Sequence, residues 1–529
     1  MSTYINKGND IFRSFFKREY IDKTGLIAEV NARLCTESRF MCVTRSRRFG
    51  KSMAAQTLYA YYDQSCDSCS LFDNLQIAKD ASFKEHLNKY PSIFLDLTSF
   101  VTRYKDETIV SVMDAAIKAD VMKEYPDVEV QESYDLMDTL VAITTATGRQ
   151  FILFIDEWDA ICREFPPTSN VMTAYVNWLR RLFKDVSAKE VFAGVYMTGI
   201  LPIKKYNTQS ALNNFAEYSM IQPGRMARYF GFTRDEVIDL ATRYSMDFDE
   251  LEKWYDGYQI GSEASMFNPN SVMQAIDSEW CTSYWGKTAS YEVVKTYITM
   301  NFDGLKDDIL FLLGGGRVTV DTVGFQNDMH DVRNRDDVLT LLIHLGYLSF
   351  DRTTNTCFVP NLEVSNELSY AVKGVEWRAV TEALQQSDSI LQAILDGDAD
   401  TVARGVEAAH DENTSILSYN NENSLACVLS LALYTAKNDF IVHRELPTGK
   451  GFADLVLVPR KDVDKPAIIV ALKVDRTVDA AIDQIHRKQY PAKLTQYTGR
   501  LLLVGISYDR QNKTHTCKIE HITTKNQMI

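Results

Sequence analysis

"VTRSRRFGKS", residues 43–52, places Gly50, Lys51 and Ser52 between an apolar run, "RFMCVT" (39–44), and a stretch of helical spacing, 51–64. A phosphate-binding loop has the pattern G-x-x-x-x-G-K-[ST]. Backbone amides at a helix N-terminus face phosphate oxygens there, and the lysine reaches the outer phosphates. Strand, turn and helix stand here in the order that geometry needs. Arg45, however, occupies the position of the first glycine. The stretch is therefore either a chance triplet or a variant loop, and the rest of the chain must decide.

Outward from this loop, short apolar runs alternate with amphipathic segments. "SIFLDL" (92–97), "QFILFID" (150–156) and "EVFAGVYMTG" (190–199) read with 39–44 as buried parallel strands, and 51–64 and 170–186 as helices. The first part of the chain is thus expected to be α/β with an open, mainly parallel sheet. From about 226 to 410 the texture is mostly helical, with strand candidates near "GYLSFDRTTNTCFVPN". After 440 "FIVHREL", "FADLVLVP", "PAIIVALKV" and "GRLLLVGISY" read as strands, with "DAAIDQIHRKQYPAKL" as a helix before the last. The order β-β-β-α-β marks a second α/β unit. The expected division is 1–225, 226–410 and 411–529.

"FILFIDEWD" (151–159) ends its strand in Asp156-Glu157. An aspartate here joins a magnesium shell with Ser52, and a glutamate orients the attacking water. A third strand ends in "MTG" (197–199), where Thr198 senses a γ-phosphate or caps the next turn. Three such elements on three strands favour a real nucleotide site. Arg45, Arg47 and Arg48 either supply charge to phosphate or pair with acidic neighbours; Arg225 and Arg228 reach the site from the far side or make structural ion pairs.

Together "YIDKTGLI" (20–27), "TRSRRFGKS", "IDEWD", "TGILPIKK" leading into "LNN", "FGFTRDEV", "WYDGY" (254–258) and "FNPNSV" (267–272) resemble the AAA-ATPase-like family. Bacterial members of that family are commonly fused to a C-terminal PD-(D/E)XK nuclease domain. The Arg-Arg-Phe-Gly-Lys-Ser loop is the family's own form. The resemblance implies an AAA-like P-loop domain, a helical middle region and a PD-(D/E)XK-type α/β domain. It also implies ATP and Mg²⁺ as cofactors, with Arg45, Arg47, Arg48, Phe49, Gly50, Lys51, Ser52, Met53 and Thr198 binding nucleotide. Ser52 and Asp156 would hold metal and Glu157 would activate water. Roles in mobile elements or phage defence are carried by the resemblance alone.

A PD-(D/E)XK nuclease needs an aspartate on one strand and an acid-x-lysine on the next: the carboxylates hold Mg²⁺ and the lysine positions water. "GKGFADLVLVP" supplies Asp454 as catalytic and metal-binding residue, and "PAIIVALKV" supplies Lys473. Two before that lysine stands Ala471, where the family has glutamate. Glu445, Gln484 and Tyr490 fit around the site, and Glu422 is a further acid. Alanine cannot ligate a metal, so the module is expected to be crippled. Three explanations stay open: a change made to silence cleavage, a natural loss leaving a pseudonuclease, or migration of the role to Asp475 or Glu445.

The chain has 529 residues, 45% apolar and 24% charged, and net charge −14. That length implies several domains, and the charge weighs against a non-specific nucleic-acid binder unless a local cleft is basic. Nine irregularly spaced cysteines fit a reducing compartment. Cys66 and Cys69 form one C-x-x-C with no second pair, and read as a surface turn. No histidine cluster of metal-binding spacing appears, and His486 reads as exposed or capping. With neither a signal-like N-terminus nor an apolar run of membrane-spanning length, the chain is expected to be cytoplasmic. Its expected partner is DNA or RNA, with no membrane, and a homo-oligomer remains open.

Overall fold

Five apolar segments of the N-terminal region pair into one all-parallel sheet in the computed structural model. They are β1 (Phe40–Thr44), β2 (Ser92–Asp96), β3 (Phe151–Asp156), β4 (Phe192–Gly199) and β5 (Ala216–Tyr218), in the order β2-β3-β4-β1-β5. β1, β3 and β4 are buried along their whole length, because helices cover both faces. That is why these strands read as continuous apolar runs and not as alternations. The register aligns Thr44 with Gly199 and Asp96 with Asp156, so the carboxyl ends of these strands share one edge. In open α/β sheets that edge is where ligands bind.

The structure describes residues 3–203, 212–285, most of 304–373, 378–412, 439–447, 452–459, 463–487 and 500–523, with a few isolated residues between. The chain divides into two compact units, one of residues 1–290 and 319–367, the other of 291–318 and 368–529.

In the first unit, β1 leads through the loop to α1 (Lys51–Tyr62). Gly50 begins that helix in the left-handed region, at φ 84°, which glycine adopts without the Cβ penalty of other residues. α2 (Asn170–Lys184) starts where the Ser169 side chain accepts from the Met172 amide, and its apolar stripe packs on the sheet. α3 (Arg234–Tyr244) has a full capping box between Thr233 and Glu236, a pairing that stabilises a helix start. A small sheet joins β6 (Phe232–Thr233), before α3, to β7 (Tyr258–Ile260) and β8 (Glu263–Phe267), which follow α4 (Phe248–Tyr255). The "WYDGY" turn requires its glycine: Gly257 has φ 93°, and a Cβ there would lie 2.0 Å from the Pro360 carbonyl oxygen. "FNPNSV" is a helix start, in which Asn268 caps α5 (Pro269–Ser278) and Pro269 opens it. A short strand β9 (Val318–Thr319) and the hairpin of β10 (Ser349–Asp351) and β11 (Thr356–Phe358) follow, and α6 (Leu362–Lys373) carries the chain out of this unit.

The second unit is a mixed sheet of β12 (Phe440–Pro447), β13 (Phe452–Pro459), β14 (Ala467–Val474), β15 (Arg500–Asp509) and β16 (Thr514–Thr523), in that order. β14 and β15 are parallel, joined through α9 (Val478–Arg487), and the other neighbours are antiparallel. Leu455, Leu457, Ile468, Val470 and Leu472 face α7 (Arg378–Asp396) and α8 (Ala399–Glu412). Val456, Val458, Ile469 and Ala471 face Ala481, Ile482 and Ile485 of α9. The period of two assigns every side chain on these strands to one face or the other.

Candidate functional site

Lys51 opens α1 at the carboxyl edge of the first sheet and is 4% exposed. Its ammonium donates to the Ser46 carbonyl at 3.1 Å and lies 3.7 Å from Glu157 Oε1. Burial pushes this lysine below its ordinary value, opposed by the charges of Glu157, Asp156 and Asp159. Asp156 ends β3 and is 6% exposed. Burial raises its carboxyl to about 6, while a hydrogen bond from Ser52 pulls the other way. Lys51, Ser52 and Asp156 therefore meet in one place.

Glu157 leaves the strand in the left-handed region, φ 52°, a costly conformation for a residue with a side chain. This turns its carboxylate to Lys51 on one side and to Arg163 on the other. Arg163 also pairs with Asp159 at 3.3 Å. Burial alone would lower this arginine, but Asp159 and Glu157 outweigh it and hold it above its usual value. Asp159 is wholly buried and accepts the backbone amides of Ile200 and Leu201. The glycine of "MTG" makes that possible, since a Cβ at Gly199 would sit 2.5 Å from Asp159 Oδ1. Sequence reasoning missed Arg163, although Asp159 and Arg163 stand at the i,i+4 spacing that pairs charges on a helix.

A cleft of about 1300 Å³ opens over this edge. Arg47, Arg48, Phe49, Gly50, Lys51, Ser52, Met53, Glu157 and Arg163 line it, together with Tyr20 and Ile21 of the N-terminal segment and Asn270 and Met273 of α5. Open space surrounds Gly50, where a Cβ would meet nothing within 4 Å. Arg47 is pushed below its ordinary value, first by burial and then by Arg163. Arg48 donates to the Tyr284 carbonyl at 2.8 Å.

Four of the candidates lie elsewhere. Arg45 is wholly buried: its guanidinium donates to the carbonyls of Thr44 and Tyr218, both at 2.8 Å, and lies 5.0 Å from the centre of the Phe230 ring. Burial lowers it to about 10, so it remains cationic at neutral pH. The side chain is directed behind the loop and does not line the cleft, which corrects the reading of Arg45 as a phosphate ligand. Thr198 is likewise wholly buried on β4, its hydroxyl without a partner, and does not line the cleft. Arg225 and Arg228 are exposed outside it.

In the second sheet, Arg444 pairs with Leu455 and Leu446 with Ala453, which sets Glu445 and Asp454 at one level of the β12–β13 ladder. On the other side, Leu455 pairs with Val470, Val456 with Ile469 and Leu457 with Ile468. Ala471 pairs with Gly505, and Lys473 with Ser507. Ala471 and Lys473 share the α9 face by strand alternation; the side chains of Glu445 and Asp454, and all of Glu422 and Tyr490, lie outside the described residues. Lys473 is 6% exposed and Ala471 wholly buried, while Gln484 is half-buried on α9. Gly505 admits α9 closely: a Cβ there would be 3.0 Å from both Ile482 Cγ1 and the Val478 carbonyl oxygen. Asp475, a candidate replacement acid, is bound to Arg510 through side chain and backbone at 2.7 and 3.0 Å. His486 is exposed and pairs with Glu520. Among the described residues, no helix is long and apolar enough to cross a membrane and no cluster of His, Cys, Asp or Glu is arranged to hold a metal ion. Cys66 and Cys69 are not joined in a disulfide.

Comparison with known proteins agrees with both halves of this layout. Residues 9–208 match the model of a family described as predicted AAA-ATPase, and residues 420–518 that of the PD-(D/E)XK nuclease superfamily. An uncharacterized protein in the vnfD 5′ region of Azotobacter chroococcum mcd 1 is 22% identical over 291 residues, 54% of this chain and 52% of that one. The chain thus spans about half the length of this curated relative. Among solved structures, the Aeropyrum pernix ORC2 protein in ADPNP–ADP complexes superimposes at a TM-score of 0.32 with 11% identity, over 68% of this chain and 98% of that one. The ORC1 protein of the same organism in complex with DNA gives 0.27 and 12%, over 70% and 98%. Scores at that level bear no weight here; the two family matches do, and by them the chain joins an AAA-ATPase-like domain to a PD-(D/E)XK nuclease-superfamily domain.

Proposed function

We propose that this protein binds and hydrolyses ATP and couples its nucleotide state to a C-terminal nuclease-fold module that acts on DNA or RNA. One observation carries the reading: Lys51, Ser52, Asp156 and Glu157 converge at the carboxyl edge of a single parallel sheet. The donor set suits a magnesium triphosphate. A buried ammonium, a hydroxyl bonded to a carboxylate and the N-terminus of α1 adjoin one cleft, and the buried Ser46 hydroxyl beside them is without a partner. Ser52 and Asp156 are the groups that would hold Mg²⁺, which when bound supplies positive charge at the outer phosphates. Lys51 would grip the phosphates, and Glu157 would orient water. The functional division we propose is an ATPase domain at 1–225, a lid or linker at 226–410 and a nuclease-like domain at 411–529.

In the second module Asp454 and Lys473 supply two of the three groups that metal-dependent cleavage needs, and Ala471 leaves out the third. A second reading, an ATP-gated switch whose C-terminal module only docks, is favoured by the burial of Ala471 under α9. Steady-state ATP turnover, with and without nucleic acid, tests the leading reading in wild type and K51A. Removing one partner of a buried charged contact costs about 2–5 kcal/mol, roughly 30- to 5,000-fold in affinity. Wild-type turnover that disappears in K51A is expected; unchanged turnover in K51A would refute the assigned site.

A further inference from the structure

The phosphate-binding loop is held from outside as well as by its own sheet. Ser46 abuts Gly346, where a Cβ would come within 2.6 Å of the serine Cβ. Phe49 is wholly buried, edge-on to Tyr258 with ring centres 4.9 Å apart. Between them Arg48, at φ 67°, donates from Nη1 to the Tyr284 carbonyl at 2.8 Å. The amide of the same Tyr284 donates to Glu363 Oε1 at 2.7 Å, and the Ser271 hydroxyl donates to Oε2 at 2.8 Å. Glu363 is wholly buried on α6, the helix along which the chain leaves the first unit at Glu367.

We propose that Glu363 is a positioning residue for the phosphate-binding loop, acting through the Tyr284 backbone on Arg48 and tying the loop to the helix that leads into the second unit. This rests on the reading of the loop as a nucleotide site. The physical basis is that a left-handed, non-glycine residue such as Arg48 persists only where its surroundings fix it. Tyr284 supplies that fixation, and Tyr284 in turn is held at its amide by a carboxyl with no access to solvent. Glu363 also holds Ser271 at the start of α5, whose Asn270 and Met273 line the cleft. One carboxyl therefore braces the loop and the opposite wall together.

Burial raises Glu363 to about 7, against hydrogen bonds from Tyr284, Ser271 and Trp285. Among the described residues, the titratable groups that act on it are Glu367 on its own helix, Tyr255 of α4 and Tyr258 of β7, none of them a cation. Burial outweighs those hydrogen bonds, so this carboxyl keeps its proton to higher pH than an exposed glutamate does. A carboxyl whose folded value is raised stabilises this packing most below its ordinary value of 4.5, and the contribution is lost as pH rises through about 7. Above that, an ionised carboxylate favours conformers that admit water, and the loop loses its brace.

Calorimetric titration with ATP in saturating Mg²⁺, at pH 6 and pH 8, on wild type, E363Q and K51A tests this. The wild-type Kd is expected to rise by about 5-fold or more from pH 6 to pH 8, the lower range of site-to-site coupling. E363Q, which keeps the shape and carries no charge at either pH, should keep only the pH dependence that Asp156 and ATP impart and lose the weakening at pH 8 that Glu363 adds. Titration of Asp156 and of ATP itself is common to both proteins, so the difference between them isolates Glu363. An equal pH dependence in wild type and E363Q, or none in either, would overturn the inference. K51A binding as tightly as wild type would instead overturn the nucleotide-site reading. Should E363Q not fold, S271A serves: loss of the serine hydroxyl must move the wild-type transition to higher pH, and an unmoved transition counts against the inference.

Discussion

The carboxyl edge of the first sheet and the middle of the second each hold a buried lysine, Lys51 and Lys473. At the first edge every member is present and engaged. Lys51 lies between a carbonyl and Glu157, Asp156 takes the Ser52 hydroxyl, and Arg163 balances Glu157 and Asp159. In the second sheet position 471, two before Lys473 on the same face of β14, is an alanine packed under α9. A fold can thus be kept whole while its chemistry depends on one side chain. Apolar burial sustains the sheet, since each buried leucine or valine contributes roughly 1.5–3 kcal/mol, and the methyl of Ala471 joins that packing.

The comparison is broken most decisively at position 471. A471E should give the module strong Mg²⁺-dependent cleavage of DNA or RNA beyond any shown by the wild type, read as product on a gel, at a stability cost of about 1–3 kcal/mol for the buried carboxyl. If the variant folds and never cleaves, the second sheet was not one acid short of a site, and the docking reading gains.

At the first edge the sharper test is counterintuitive. R45G restores the glycine of the general loop pattern, but Arg45 fills buried space against Phe230 and satisfies two carbonyls. The variant should lose about 2–5 kcal/mol of stability, the scale of large-to-small core changes, with no gain in ATP affinity. A more stable or tighter-binding R45G would show the arginine to be a mere obstacle in the loop.

How much of this could be read from sequence follows from what is local. β1 to β4 were legible because both faces of the sheet are covered, so each strand is an unbroken apolar run. β16, "THTCKIEHIT", is interrupted by polar residues at an edge of its sheet and escaped notice, as did the short β5 to β8. That Lys51, Ser52, Asp156 and Glu157 come together was legible because they stand at strand ends and a helix start of one sheet edge. Arg45 was misjudged because sequence gives a side chain's charge and not its direction, which is set by Phe230 and Tyr218 far along the chain. Glu363 and Ser271 are 92 positions apart, and no periodicity connects them.

The central claim is that the loop and the end of β3 form one site for a magnesium triphosphate, and it is tested most directly by titrating ATP with and without Mg²⁺ into wild type and D156A. Mg²⁺ should tighten ATP binding to the wild type and have little effect on D156A. Equal tightening in both would contradict the account.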